Sequence, residues 1–316
     1  MAGALNGKVA LVAGATRGAG RGIARALGEA GATVYCTGRS TRGAPAGSRP
    51  ETIEETAGLV DAAGGHGIAV RVDHTVPAEV EALVQRIGAE SRRLDVLVND
   101  VWGGDELTEF GQPFWQLSPE NGRRMLEQAV FSHVVTARYA TPLLVGGGGG
   151  LIVEITDGDS YHYRGNLFYD LVKTAVIRLA FDFAYELRRK NVAAVAVTPG
   201  FLRSEAMLDR FGVTEANWQA AAAKDPHFAY SETPLFVGRA VAALAGDADI
   251  MRRSGRVFSS WGLSDEYGFI DADGSRPHWG RHAAEAFGEG IGRSCDDGFY
   301  AYWEGGPVAA LWPDWP

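Results

Sequence analysis

Residues 8–24, KVALVAGATRGAGRGIA, constrain this chain more than any other stretch. Val9–Ala13 is a short apolar run with no polar alternation, the pattern of a strand covered on both faces. Gly14, Gly18 and Gly20 follow, and then Ile23, Ala24, Leu27 and Gly28 recur at helical spacing. A strand that feeds a helix through glycines leaves free backbone N–H groups at a helix N-terminus, an anion site suited to a pyrophosphate. An ordinary tight turn has the same composition, so the meaning of the loop depends on what stands beside it.

The alternation runs on. Apolar runs at 32–37, 67–72, 94–98, 151–156, 192–198 and 256–260 read as strands, and helical spacing predicts helices over 51–63, 77–91, 119–144, 169–190 and 235–245. Short apolar strands alternating with helices predict an α/β fold, a doubly wound parallel sheet of Rossmann type with right-handed crossovers. The expected organisation is a single domain over 1–260, with an insertion at 201–233 placed to form a lid over a substrate. An extension over 261–316, rich in Gly, Trp and Asp, is expected to pack on the same domain.

Charge narrows the partners. A net charge of −9 over 316 residues argues against a nucleic-acid or anionic-membrane surface, which wants clustered Lys and Arg. No apolar run reaches ~18 residues, so no membrane span is expected. The first residues, MAGALNGKVA, lack the basic start and apolar centre of a signal peptide. Cys36 and Cys295 stand far apart, with neither metal spacing nor a disulfide framework, which suits a reducing cytoplasm. The expected partner is a small-molecule substrate, with no metal.

Polar residues stand where successive strands end: Arg39, Asp73, Asn99, Asp157 and the pair Pro199-Gly200. In open α/β sheets ligands bind at those carboxyl ends. Tyr169 and Lys173 lie i,i+4 at a helix start, on one helix face. An ammonium beside a phenol favours the phenolate, so Lys173 is expected to lower the Tyr169 pKa and make it a usable acid/base.

With GATRGAG at 14–20, Asp73, VND at 98–100, Tyr169-x-x-x-Lys173 and Pro199-Gly200, residues 5–260 resemble the short-chain dehydrogenase/reductase family. The TGR at 37–39, the FW at 114–115 and YELRRKNV at 185–192 resemble most its subgroup named dehydrogenase/reductase SDR family member 1. The resemblance implies an NAD(P)-dependent oxidoreductase with Tyr169 as acid/base and Lys173 on the nicotinamide ribose. It implies a pyrophosphate cradle of Gly14, Thr16, Arg17, Gly18 and Gly20, with Asp73 and His74 by the adenine. Asn99 and Val101 would stand by the adenosine ribose, Pro199 and Gly200 by the nicotinamide, and Ser204 at its carboxamide. Similar proteins pair helices corresponding to 119–144 and 169–190, so a homodimer or homotetramer is expected.

The cofactor follows from charge. NAD binding wants an acidic residue after the second strand, for the ribose 2′-OH. This chain has Arg39 there and Arg17 in the loop, two guanidinium groups suited to a 2′-phosphate, so NADPH and reduction are expected. Trp102, Tyr161, Phe168, Phe201 and Met207 are candidates for an apolar substrate pocket.

The chain departs from the family in three respects. Asp100, Val101 and Trp102 stand where Asn-Ala-Gly is usual, and Ala129 stands at the proton-relay asparagine. The catalytic serine is missing. Counting back the family's spacing from Tyr169 gives Thr156; the shorter loop of the nearest subgroup gives Asp157. An ionised Asp accepts hydrogen bonds only, so it suits a cationic group such as an iminium, or a substrate hydroxyl, better than a carbonyl. Three readings stand: an NADPH-dependent carbonyl reductase, an imine or iminium reductase with Asp157 as counter-charge, and a non-catalytic NADPH-binding module.

Overall fold

The computed structural model describes residues 3–159 and 163–288. Val9–Ala13 (β1) is buried along its whole length, as its unbroken apolar run requires. It turns through Gly14 into Gly18–Glu29 (α1). Gly14 takes φ +91°, and a Cβ there would lie 2.4 Å from the Asp100 carbonyl oxygen, so only glycine lets the two segments pass this closely.

Next come Thr33–Gly38 (β2), Ile53–Ala62 (α2), His66–Arg71 (β3), Pro77–Ser91 (α3) and Val96–Asn99 (β4). Pro119–Leu126 (α4), Ser132–Gly146 (α5), Gly150–Ile155 (β5), Leu167–Leu187 (α6) and Val192–Thr198 (β6) follow. Glu205–Phe211 (α7), Pro234–Ala245 (α8), Val257–Ser259 (β7), Ser260–Tyr267 (α9) and Trp279–Phe287 (α10) complete the described elements.

The strands form one sheet in the order β3-β2-β1-β4-β5-β6-β7, each pair parallel. The order reverses between β1 and β4, where the following connections diverge and leave a crevice at the carboxyl ends. Successive side chains serve opposite faces. Ala10, Val12, Val98, Val153 and Val195 pack on one side with Ile23 and Leu27 of α1 and Phe236 and Val241 of α8. Leu11, Leu97, Ile152 and Ala194 pack on the other with Val80, Leu83 and Ile87 of α3 and Leu144 of α5. Each fully buried Val, Leu or Phe among them contributes about 1.5–3 kcal/mol. Helices α1 and α8 meet backbone to backbone: a Cβ on Gly22 would lie 1.9 Å from the Pro234 carbonyl oxygen.

The structure departs from the sequence reading in three places. The segment 119–144 is not one helix: a π-helical stretch, Glu127–Phe131, separates α4 from α5. Its wider turn is a one-residue change of register that apolar periodicity does not reveal. Helix α6 starts two residues before Tyr169, because the Asn166 side chain caps it by accepting the Tyr169 N–H at 3.0 Å. Beyond β7, α9 and α10 stand where periodicity placed no element. No described helix is long and apolar enough to cross a membrane.

Candidate active site

The crevice at the strand ends widens into a cavity of about 710 Å³. Its walls are the glycine loop after β1, the ends of β2, β4, β5 and β6, the start of α6, and α7. Gly14, Thr16, Arg17, Gly18, Arg39, Asp73 and His74 border one end. Thr156, Asp157, Tyr169, Lys173, Pro199, Gly200 and Ser204 border the other, with Val101 and Trp102 between.

Tyr169 and Lys173 share one face of α6, and both are half-buried. The Tyr169 hydroxyl donates to Asp157 Oδ2 at 2.7 Å. The Thr156 hydroxyl turns away and donates to the Lys173 carbonyl at 2.7 Å. Of the two candidates for the serine position, Asp157 is the one on the phenol. This neighbour reverses the expectation for Tyr169. Its pKa lies well above the ordinary value, first because of burial and then because the Asp157 carboxylate opposes a second negative charge and accepts the proton. Lys173 does not compensate: its Nζ lies 5.5 Å from the Tyr169 ring centroid and 4.3 Å from that of Trp102. Burial lowers the Lys173 pKa, against the pull of Asp157, Asp100 and Asp105. Asp100, where the family has asparagine, is itself pushed up to about 7 by burial, with Lys173 and His133 opposing.

At the other end Arg17 and Arg39 face the cavity, each beside a carboxylate. Arg39 Nη1 lies 3.9 Å from Asp73 Oδ2. Arg17 Nε lies 3.3 Å from Glu51 Oε2, yet it is buried without an aligned hydrogen-bond acceptor. Asp73 Oδ1 accepts from the Thr75 N–H and hydroxyl. The His74 ring contacts the Thr37 hydroxyl at 2.8 Å and the Thr136 hydroxyl at 2.9 Å, so both nitrogens are engaged. Burial pushes its pKa down to about 3. Ser204 caps α7 by accepting the Met207 N–H.

Several candidates stand elsewhere. Asn99 is fully buried behind the crevice, its amide donating to Glu154 Oε1 at 2.7 Å. Glu154 Oε2 meets His133 Nδ1 at 2.7 Å, and His133 Nε2 lies 3.0 Å from the Val101 carbonyl. Asn99 thus braces the β4 end from inside and does not face the cavity. Gly20 lies within α1, where a Cβ would meet the Gly14 carbonyl oxygen at 2.3 Å; it permits packing and does not line the crevice. Phe168 lies over Gly122 and joins Met125 and Val172 in a small core, not the pocket. Ala129 joins that core too. Trp102, Phe201 and Met207 do line the cavity. Tyr161 lies outside the described residues, as does Cys295.

Residues 8–212 match the short chain dehydrogenase family. This chain is a short-chain dehydrogenase/reductase. It is 36% identical over 279 residues to dehydrogenase/reductase SDR family member 1 of Homo sapiens, covering 87% of this chain and 86% of that protein. The Mus musculus protein of the same name is 35% identical over 275 residues, 85% of each chain. Among solved structures, a hydroxysteroid dehydrogenase from Escherichia coli superimposes with a TM-score of 0.66 at 24% identity, covering 82% of this chain and 97% of its own. L-sorbose reductase from Gluconobacter frateurii, complexed with NADPH and L-sorbose, gives 0.68 at 19% identity, covering 87% and 98%. At these identities the likeness of the structures is one of fold. The short-chain dehydrogenases are NAD(P)-dependent oxidoreductases, and this chain is an enzyme of that class.

Sequence reasoning missed several residues of this dehydrogenase's crevice. Trp279 at the start of α10 lines the cavity and meets Phe201 edge to face, at 5.7 Å between ring centroids. Gln128 lines it from the π-helical segment, with a buried Oε1 that has no partner among the described residues. Asp105 accepts from the Trp102 indole N–H at 2.5 Å. Behind the crevice, Glu232, almost fully buried, accepts the Gly200 N–H at 2.9 Å and the Ser260 hydroxyl at 2.6 Å. None carries a local signal: each reaches the site from a segment whose own pattern says only helix or loop.

Proposed function

We propose that this short-chain dehydrogenase is an NADPH-dependent reductase of a carbonyl group on a small apolar or cyclic substrate. The observation that carries the reading is one cavity that joins the glycine loop and two guanidinium groups at one end to the Tyr169 hydroxyl at the other. The residues suit the cofactor. The buried Arg17 Nε, lacking an aligned acceptor, and the Arg39 guanidinium are donors for a 2′-phosphate. No carboxylate ends β2, where NAD binding wants one.

NADPH, when bound, supplies the hydride. Tyr169 supplies the proton at Oη, which requires its O–H to turn from Asp157 Oδ2 to the substrate oxygen. Its raised pKa keeps that proton in place at neutral pH, the state a reductase needs. Lys173, its Nζ over the Trp102 ring, stands on the same helix face as the phenol, 5.5 Å from its ring centroid. Trp102, Phe201, Met207 and Trp279 exclude water and favour an apolar substrate.

Asp157 supports a second reading. Proton donation by Tyr169 leaves a phenolate beside a carboxylate, an unfavourable pair. An iminium substrate brings a positive charge to Asp157 and needs no proton, so the same site suits iminium reduction. Two measurements separate the readings: NADPH oxidation over matched ketones and cyclic imines, and the same panel on Asp157→Ser. Carbonyl reduction predicts turnover of ketones that Asp157→Ser keeps or raises. Iminium reduction predicts that Asp157→Ser loses imines more than ketones. Binding of NADPH with no turnover of either panel sinks both and leaves a non-catalytic nucleotide-binding module.

A further inference from the structure

Helix α7 bridges the crevice. Its first residue, Glu205, places Oε2 2.8 Å from the Gly18 backbone nitrogen, whose N–H it accepts. Its Oε1 lies 3.8 Å from Arg21 Nη1. Gly18 opens α1, a helix whose cap residue Arg17 offers its first turn no capping side-chain hydrogen bond and whose first turn has no acidic residue. The positive end of α1 is therefore satisfied by a carboxylate from 187 residues away. One turn further along α7, Asp209 pairs with Arg49 at 2.9 Å, and Arg49 pairs with Glu51 at 2.7 Å. Glu51 in turn stands beside Arg17. So α7 is tied to the glycine loop by one carboxylate and to the β2–α2 connection by another.

We propose that Glu205 is an internal competitor for the cofactor pyrophosphate: its carboxylate and the pyrophosphate require the same Gly18 N–H, so cofactor entry expels Glu205 and frees α7. The proposal rests on the reading of the glycine loop as the dinucleotide site. One N–H cannot serve two anions at full strength, and a carboxylate held beside a bound pyrophosphate adds like-charge repulsion. Binding thus exchanges one anion for another at the α1 terminus, and Glu205 sets the affinity. The Asp209–Arg49 pair is mostly solvent-exposed on the Asp209 side and holds α7 weakly.

The test uses the full chain and two readouts. Dissociation constants of NADPH and NADH are measured by nicotinamide fluorescence for wild type, Glu205→Gln and Asp209→Asn. Amide hydrogen exchange over 205–211 is followed with and without inorganic pyrophosphate. Glu205→Gln keeps the side-chain shape and removes the charge. It should bind both dinucleotides about fivefold tighter, and its α7 amides should exchange faster than those of wild type before any ligand is added. Pyrophosphate alone should speed α7 exchange in wild type and change it little in Glu205→Gln. Asp209→Asn should shift both dissociation constants about twofold or less. Unchanged or weaker dinucleotide binding by Glu205→Gln, or α7 exchange indifferent to pyrophosphate in wild type, overturns the proposal. Failure of wild type to bind either dinucleotide is a separate result, which overturns the cofactor reading and the proposal with it.

Discussion

The Tyr169 hydroxyl gives its one proton to Asp157 Oδ2, 2.7 Å away, while Thr156 turns to the Lys173 carbonyl. A serine at this position would give and accept a hydrogen bond; an ionised aspartate only accepts. The substitution therefore alters how the phenol titrates: Asp157 adds to burial in holding the proton on Tyr169. Replacing Asp157 by Asn removes the charge and keeps an acceptor. The Tyr169 pKa should fall, burial remaining as the larger cause of its elevation. Reduction needs the protonated phenol, so the alkaline limb of kcat/KM should move to lower pH in Asp157→Asn. A limb that stays in place or moves upward refutes the coupling.

Tyr169→Phe removes the proton donor with little change in shape. NADPH oxidation should fall by about 10²–10⁴-fold, while the NADPH dissociation constant changes by less than about twofold, since the phenol's own partner is Asp157. Turnover within a factor of a few of wild type excludes Tyr169 as the acid. It would also favour the iminium reading, in which no proton is delivered.

Arg17 and Arg39 are expected to discriminate the cofactors. Changing either to Ser should weaken NADPH binding about tenfold, the scale of a charge-assisted hydrogen bond, and NADH binding far less. Titrations with both nucleotides check this. Equal losses for the two would assign the guanidinium groups to some other contact.

Glu232 offers a test on stability. Burial pushes its pKa up to about 8, against the Ser260 and Gly200 hydrogen bonds that favour the carboxylate. Unfolded glutamate titrates near about 4.3. Between those values the folded chain holds a proton that the unfolded chain has lost, so stability falls as pH rises through this window. Glu232→Gln keeps an acceptor for Gly200 and Ser260, and its amide replaces an Oε1 that has no partner among the described residues. Across pH 5 to 8 the wild type should lose of order 2–4 kcal/mol relative to Glu232→Gln. Thermal melts of both at several pH values measure it, and parallel curves would show Glu232 ionised in the folded chain.

Much of this architecture is legible in the amino-acid sequence. The run Val9–Ala13, the glycines after it and the helical spacing of Ile23 and Leu27 give β1, the loop and α1. Tyr169 and Lys173 share a helix face by spacing alone, and Arg39 stands after β2 as the sequence implies. Ambiguity began where two neighbours competed. Thr156 and Asp157 follow each other at the end of β5, and only the placement of the Lys173 carbonyl and the Tyr169 hydroxyl decides which one meets the phenol. Asn99 is ambiguous in sequence for a related reason. The end of a strand suggests a ligand, yet its side chain turned inward to Glu154, 55 residues later.

The sequence by itself determined the order of elements, the buried faces and the glycine loop, because periodicity and glycine geometry act between residues close in the chain. Only the tertiary structure decided which charges meet. It set Asp157 on Tyr169 and so raised a pKa that the i,i+4 lysine was expected to lower. It also brought Glu205 to Gly18 across 187 residues. Coulombic and desolvation energies depend on distance and burial in space, and a linear spacing carries neither.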